Sequence, residues 1–363
     1  MSDFDDKKAT MYLLIIIALL GIITFNKDNV GMSVIQFGIE EKNFEIQNNE
    51  INLNSLTLRQ KIGQMIFSLG VNENKDLLQK MNIGGIYLWQ KNNEDEFKND
   101  IQNFQSDMEI PFFVGLDLEG CFNPFEKFIL FPSFSEVKNE NDAYKLGVEH
   151  GRKMREMGFN INFSPVVDKE DNIWKCRAFN NSVSSNAAYY IRGLQGQGVI
   201  ATAKHYPGKT LVGKDPHKMI EFTTINKDDL EPFEWSKKNG VKAVIVSHLI
   251  VNGEVNSMNS PSVVSGNVIS NLKKDYDGLI LTDEVGMNGL KGVYENSERE
   301  MYIDLVNAGN DMILDFNKEP WHLYKVVSII ENAVENGEIS EDRIDESAIK
   351  ILKMKGFKVK RKV

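Results

Sequence analysis

Cysteine is nearly absent from this chain, with two among 363 residues. So few cannot build a disulfide-stapled scaffold. Their separation, 176 − 121 = 55 residues, fits no metal-ligand spacing. An excess of positive charge is missing too. Lys and Arg number 42 against 52 Asp and Glu, a net charge of −10, which speaks against a nucleic-acid partner. Disorder is excluded by a composition that is 42% hydrophobic and 26% charged. No motif calls for a metal or an organic cofactor. The length allows one large domain or two ordinary ones.

One long apolar run stands apart. Ala9 to Asn26 carries no charge, and as a helix its 18 residues would reach about 27 Å, close to the hydrocarbon thickness of a bilayer. Lys7 and Lys8 precede it, which favours a cytoplasmic N-terminus and an extracytoplasmic body. The run ends in Ile22-Ile23-Thr24-Phe25-Asn26, with no Ala-x-Ala cleavage site and no cysteine for lipid attachment. Residues 1–26 are therefore expected to be an uncleaved membrane anchor, with secretion after cleavage as the alternative. Residues 27–54 are polar and rich in Asn and Glu apart from Met32–Ile39, and read as a linker.

From Ser55 a helix-like spacing leads into the first of eight short apolar runs: 65–70, 84–89, 111–117, 160–168, 199–205, 243–248, 278–283 and 311–316. Amphipathic stretches lie between them, among them 143–157, 187–197, 228–238, 264–274 and 298–307. Continuous apolar strands alternating with helices imply a parallel sheet covered by helices. Eight such units predict an α/β fold of the (β/α)8 barrel type over residues 55–363, with a doubly wound sheet as the alternative. Two more helices are expected, over 324–336 and from Ser340, a suitable N-cap.

In a barrel the site lies at the C-terminal ends of the strands. Asp117, Asp168, Lys204, His205, His248, Asp283 and Asp315 stand there, although any one of them could equally be a helix N-cap. The fifth run closes in Lys204-His205-Tyr206-Pro207-Gly208, and Asp215-Pro216-His217 follows within nine residues. Asp215 can accept from one ring nitrogen of His217 and leave the other facing outward, a unit suited to proton transfer. The bland alternative is a turn with two solvated side chains.

Together with Asp117-Leu118-Glu119-Gly120, Asn162-Phe163-Ser164-Pro165-Val166-Val167-Asp168, Arg177-Ala178-Phe179 and Leu281-Thr282-Asp283-Glu284-Val285-Gly286-Met287, this pattern resembles family-3 glycoside hydrolases of the β-N-acetylglucosaminidase subgroup. The resemblance runs from about Leu56 to Lys355. It implies a barrel without the second domain that many members carry, so that the barrel must supply its own proton donor. It makes Asp283 the nucleophile, with Glu284 as the competing carboxylate. It makes His217 the acid/base, oriented by Asp215, with Glu119 next in line. It assigns Asp117, Arg177, Lys204 and His205 to sugar hydroxyls and Met287 to packing beneath the ring. The implied partner is an aminosugar glycan or muropeptide, the implied reaction is retaining exo-hydrolysis, and the implied state is a monomer. Another sugar preference, phosphorolysis and a silent sugar-binding barrel are the alternatives. The chain departs from the family where Gly120-Cys121-Phe122 replaces Gly-Gly-Arg and where Lys209-Thr210 replaces His-Gly. Cys121 and Cys176 both fall on the active-site face. A disulfide between them is the less expected outcome, because adjacent loops seldom meet its geometry.

Overall fold

The computed structural model describes residues 44, 46–119, 121–213, 218–295 and 297–361. The expected anchor lies outside them, and among the described residues no helix is long and apolar enough to cross a membrane.

The eight apolar runs are eight parallel strands: β1 (Ile66–Leu69), β2 (Gly85–Tyr87), β3 (Phe113–Leu116), β4 (Ile161–Asn162), β5 (Ile200–Tyr206), β6 (Ala243–Val246), β7 (Leu279–Thr282) and β8 (Ile313–Asp315). Neighbours in sequence are neighbours in space, and β8 pairs with β1 through Ile313–Ile66, Leu314–Phe67 and Asp315–Ser68. A bridge from Leu281 to Met312 links β7 to the start of β8, so the parallel strands form a nearly closed barrel of the (β/α)8 type. Every residue of these eight strands is buried. Side chains covered on both faces explain why the runs are continuously apolar rather than alternating.

The barrel interior is packed beneath the site. Phe67 fills it and meets Phe163 edge to face, with ring centroids 5.0 Å apart. A Cβ on Gly85 would lie 2.4 Å from the Phe67 ring, so only glycine fits opposite it. Outside, helices Glu140–Met157 and Val183–Gly196 cross at close range because Gly147 has no side chain; a Cβ there would lie 2.3 Å from the Tyr190 carbonyl oxygen. The first helix, Leu58–Gln64, starts at a capping box of Thr57 and Gln60, and Ser340 caps Glu341–Met354 as expected.

The linker reading of 27–54 needs correction at its end. Ile46–Gln47 and Glu50–Asn52 form a hairpin turned by Asn48 and Asn49, both at positive φ, and Glu50–Asn52 pairs in parallel with Lys358–Lys360. Ile51 and Leu53 are buried against Ala348, Leu352 and Phe357. The stretch looked like a linker because its partner strand lies about 300 residues away and local composition cannot reveal it. A second unforeseen feature is the parallel pair Phe222–Ile225 and Ile250–Gly253, which joins the loops after β5 and β6.

Candidate active site

A cavity of about 480 Å³ opens at the C-terminal ends of the strands. Asp117, Arg177, Lys204, His205, Asp283 and Met287 all line it, so six of the eight expected residues converge. The other two, Asp215 and His217, lie outside the described residues. The loop that carries them leaves the cavity wall at Thr210 and Leu211.

β5 ends in Lys204 and His205, whose peptide is cis. Lys204 Nζ donates to Asp117 and stands 3.4 Å from Glu119. Arg177 donates from Nη2 at 2.7 Å and from Nε at 3.1 Å to Glu119 Oε1. Two cations and two carboxylates thus alternate in a largely buried row, where each charge needs its neighbour. Burial opposes the Arg177 charge, yet Glu119 and Asp117 outweigh it and raise the guanidinium above its ordinary value. Burial, then the Asp117 charge and hydrogen bond, push the Tyr87 hydroxyl well above its usual range. Glu119 is consequently the shared counter-ion of Lys204 and Arg177.

His205 is oriented from behind. Asp168, fully buried, accepts from His205 Nδ1 at 2.9 Å and from the Thr210 amide at 3.0 Å. Its carboxylate fixes the proton on Nδ1 and leaves Nε2 as the other polar atom of the ring. Asp168 therefore supports the site without lining the cavity.

β7 ends in two carboxylates with opposed environments. Asp283 is deep, and part of its surface opens on the cavity. Burial alone would raise its carboxyl, but the charges of His205, His248 and Lys204 and the Glu284 amide hold it below the ordinary 3.8. Glu284 is raised above 4.5, first by burial and then by Asp315 and Asp283, against the Gly286 and Phe316 amides. Its Oε1 accepts from Gly286 N at 2.8 Å. Asp283 is the carboxylate kept ionised.

Two members of the expected polar ring serve other ends. His248 Nε2 donates to the Glu284 carbonyl at 2.8 Å. Asp315 turns from the cavity to Tyr302 OH at 2.6 Å and His322 Nε2 at 2.8 Å. Sequence reasoning missed the aromatic wall of Tyr87, Trp89, Phe122, Phe163, Trp174 and Phe316. The signals for it were the aromatic ending of the second run, Tyr87-Leu88-Trp89, Phe163 in the fourth run and Phe316 at the end of the eighth.

The cysteines also need correction, because Cys121 and Cys176 form a disulfide with a Cα separation of 5.5 Å. Their loops follow the adjacent strands β3 and β4. The Glu119–Arg177 ion pair spans the same two loops, and Asp171 folds the second loop by accepting from the amides of Trp174, Cys176 and Arg177.

Comparison with known proteins agrees with this geometry. Residues 57–354 match the family model described as the glycosyl hydrolase family 3 N terminal domain. A beta-N-acetylglucosaminidase/beta-glucosidase from Cellulomonas fimi is 24% identical over 327 residues, covering 82% of this chain and 57% of the relative. The beta-hexosaminidase LpqI of Mycobacterium tuberculosis is 27% identical over 241 residues, 61% of either chain. The solved glycoside hydrolase family 3 beta-N-acetylglucosaminidase from Paenibacillus sp. str. FPU-7 superposes with a TM-score of 0.74 at 27% identity, covering 83% of this chain and 62% of that one. The chain thus spans less than two thirds of the length of these relatives.

Proposed function

Because the chain belongs to glycosyl hydrolase family 3 across residues 57–354, we propose that it is a retaining exo-β-N-acetylglucosaminidase that removes terminal N-acetylglucosamine from peptidoglycan fragments or related aminosugar glycans. The observation that carries the reading is the divergence of the carboxylates at the end of β7, with Asp283 held below the ordinary carboxyl value and Glu284 raised. A carboxylate that stays ionised in a buried, cation-lined cavity suits attack on an anomeric carbon. Two relatives named beta-N-acetylglucosaminidase, one of them also beta-glucosidase, support N-acetylglucosamine as the sugar.

In this mechanism Asp283 attacks C1 and forms a glycosyl ester, while His217 gives its proton to the departing oxygen. His217 then takes a proton from water, the water oxygen attacks C1, and Asp283 leaves as a carboxylate. Asp215 orients the imidazole and supports its charged form. Lys204, Arg177, His205 and Asp117 hold ring hydroxyls through charged hydrogen bonds, and Met287 packs against the ring. The experiment is hydrolysis of a chromogenic β-N-acetylglucosaminide beside the matching glucoside, with and without phosphate. Turnover of the glucosaminide to free sugar is expected. Preference for the glucoside, release of sugar 1-phosphate, or no turnover would each overturn the assignment. The reading includes a monomer tethered by residues 9–26 outside the cytoplasm, motivated by Lys7 and Lys8 ahead of the apolar run. Protease added to intact cells should release active enzyme, and activity confined to the cytosol would refute the tether.

A further inference from the structure

We infer that the Cys121–Cys176 disulfide is a positioning element of the sugar site: it braces an aromatic rim, Phe122 and Trp174, together with Arg177, and sets affinity for the sugar rather than the rate of its cleavage. The inference rests on the glycosidase reading above and extends it to residues outside the expected motifs.

The bond joins the loops after β3 and β4 at the point where both supply cavity wall. Phe122 directly follows Cys121, Arg177 directly follows Cys176, and Trp174 lies two residues before it; all three line the cavity. Phe122 is 47% exposed and Trp174 43% exposed. Aromatic side chains left this open, at the mouth of the cavity, present flat apolar faces to whatever enters. Such faces suit the C–H face of a pyranose, while the guanidinium suits its hydroxyls. Arg177 also stands 6.0 Å from the centroid of the Trp174 ring, so the two wall residues of this loop adjoin.

Two cross-links hold the loops at this spot, the disulfide and the buried Arg177–Glu119 ion pair. The first loop is turned by a reciprocal pair of backbone bonds, Glu119 N to Phe122 O at 2.9 Å and Phe122 N to Glu119 O at 2.7 Å. The second is folded on Asp171. Each loop is thus ordered by itself, and what the disulfide adds is their distance from one another, hence the width of the rim. In the strand order, β3 lies four places from β7 and Asp283, on the opposite side of the barrel. A rim that widens there weakens binding in the ground and transition states alike, which raises KM and spares kcat.

The test uses the full chain and an aryl β-N-acetylglucosaminide. Wild-type enzyme is compared before and after native reduction by a water-soluble phosphine, which gives two thiols per chain and a phosphine oxide, with the thiols counted. We expect KM to rise about tenfold, the scale of one lost aromatic contact, with kcat within about twofold, and KM to return on reoxidation. Phe122→Ala and Trp174→Ala should raise KM similarly, and reduction should add little to Phe122→Ala because the two act through one contact. Cys121→Ser should reproduce the reduced enzyme, and the reduced wild type keeps the test decisive if that variant does not fold. An unchanged KM with both thiols free, or a fall in kcat at constant KM, overturns the inference. No turnover by the oxidised enzyme overturns the glycosidase reading itself, a distinguishable result.

Discussion

Asp168→Asn probes how the site is held together without touching any residue expected to meet the reacting atoms. The carboxylate serves two partners from opposite oxygens: Oδ1 accepts from Thr210 N at 3.0 Å, and Oδ2 from His205 Nδ1 at 2.9 Å and His205 N at 3.3 Å. An amide of the same shape has one acceptor oxygen and one donor nitrogen. If the oxygen stays with Thr210, the nitrogen faces two donors on His205. The ring must then move its proton to Nε2, or turn. If the oxygen stays with His205, the first residue of the loop leading to Asp215 and His217 loses its anchor. Either way one charged hydrogen bond goes, at about 1.5–3 kcal/mol, and every 1.4 kcal/mol is about tenfold. The prediction is a fall in kcat/KM of about 10- to 100-fold on a chromogenic β-N-acetylglucosaminide, with circular dichroism unchanged. The imidazole Nδ1 proton of His205 is expected to give an NMR resonance in the wild type, because its acceptor is buried, and that resonance should shift or vanish in the variant. A variant within about threefold of wild type, with that resonance in place, would refute the role given to Asp168.

Asp283→Asn should remove nearly all turnover, whereas Glu284→Gln should keep a measurable rate, because the Glu284 carboxyl is turned to Gly286 N; trapping by a slow fluorinated glycoside decides it, and label on Glu284 would reverse the assignment. His217→Ala should slow substrates with poor leaving groups by about 10²–10⁴-fold and activated aryl glycosides far less, with azide restoring the second step; equal slowing of both without rescue would remove His217 as the acid/base. Stability should report the buried Asp315–His322 pair. Burial opposes the charged ring, but Asp315 outweighs it and raises His322 above 6.5, while the His322 bond and charge outweigh burial and hold Asp315 below 3.8. The His322 contribution is therefore full below pH 6.5 and lost as pH rises through its folded value, and the Asp315 contribution is present above 3.8 and lost on acidification. Melting temperature should fall on the alkaline side in the wild type and lose that step in His322→Gln; an identical profile for both would contradict the pairing.

The architecture was legible because its cause is local. Each barrel strand is covered on both faces and must be apolar throughout, so eight runs and their polar ends announced the eight strands and the rim where Asp117, Lys204, His205 and Asp283 meet. Only the resemblance put Asp283 ahead of Glu284; the charges that set the two carboxyls apart come from other strands and are not readable along the chain. Asp168 and Asp117 both close apolar runs, and only the resemblance told them apart; the fold turns the first behind His205 and the second into the cavity. Asp315 shared their position at a strand end, yet a histidine seven residues on and a tyrosine thirteen back claim it.

The same distinction separates the remaining cases. Asn and Glu around Ile46–Asn52 read as solvent-facing linker because strand pairing with Lys358–Lys360 joins opposite ends of the chain. The disulfide depended on the distance between two loops, a quantity that 55 intervening residues do not encode. The aromatic wall is scattered over loops after several strands and has no spacing of its own. The sequence by itself determined eight helix-covered strands and which residue types stand at their ends, because burial and strand period act residue by residue. Which of those residues face the cavity, which stay charged, and which cross-link the rim were decided only in three dimensions, because orientation, ionisation and disulfide geometry depend on atoms that the chain brings together from far apart.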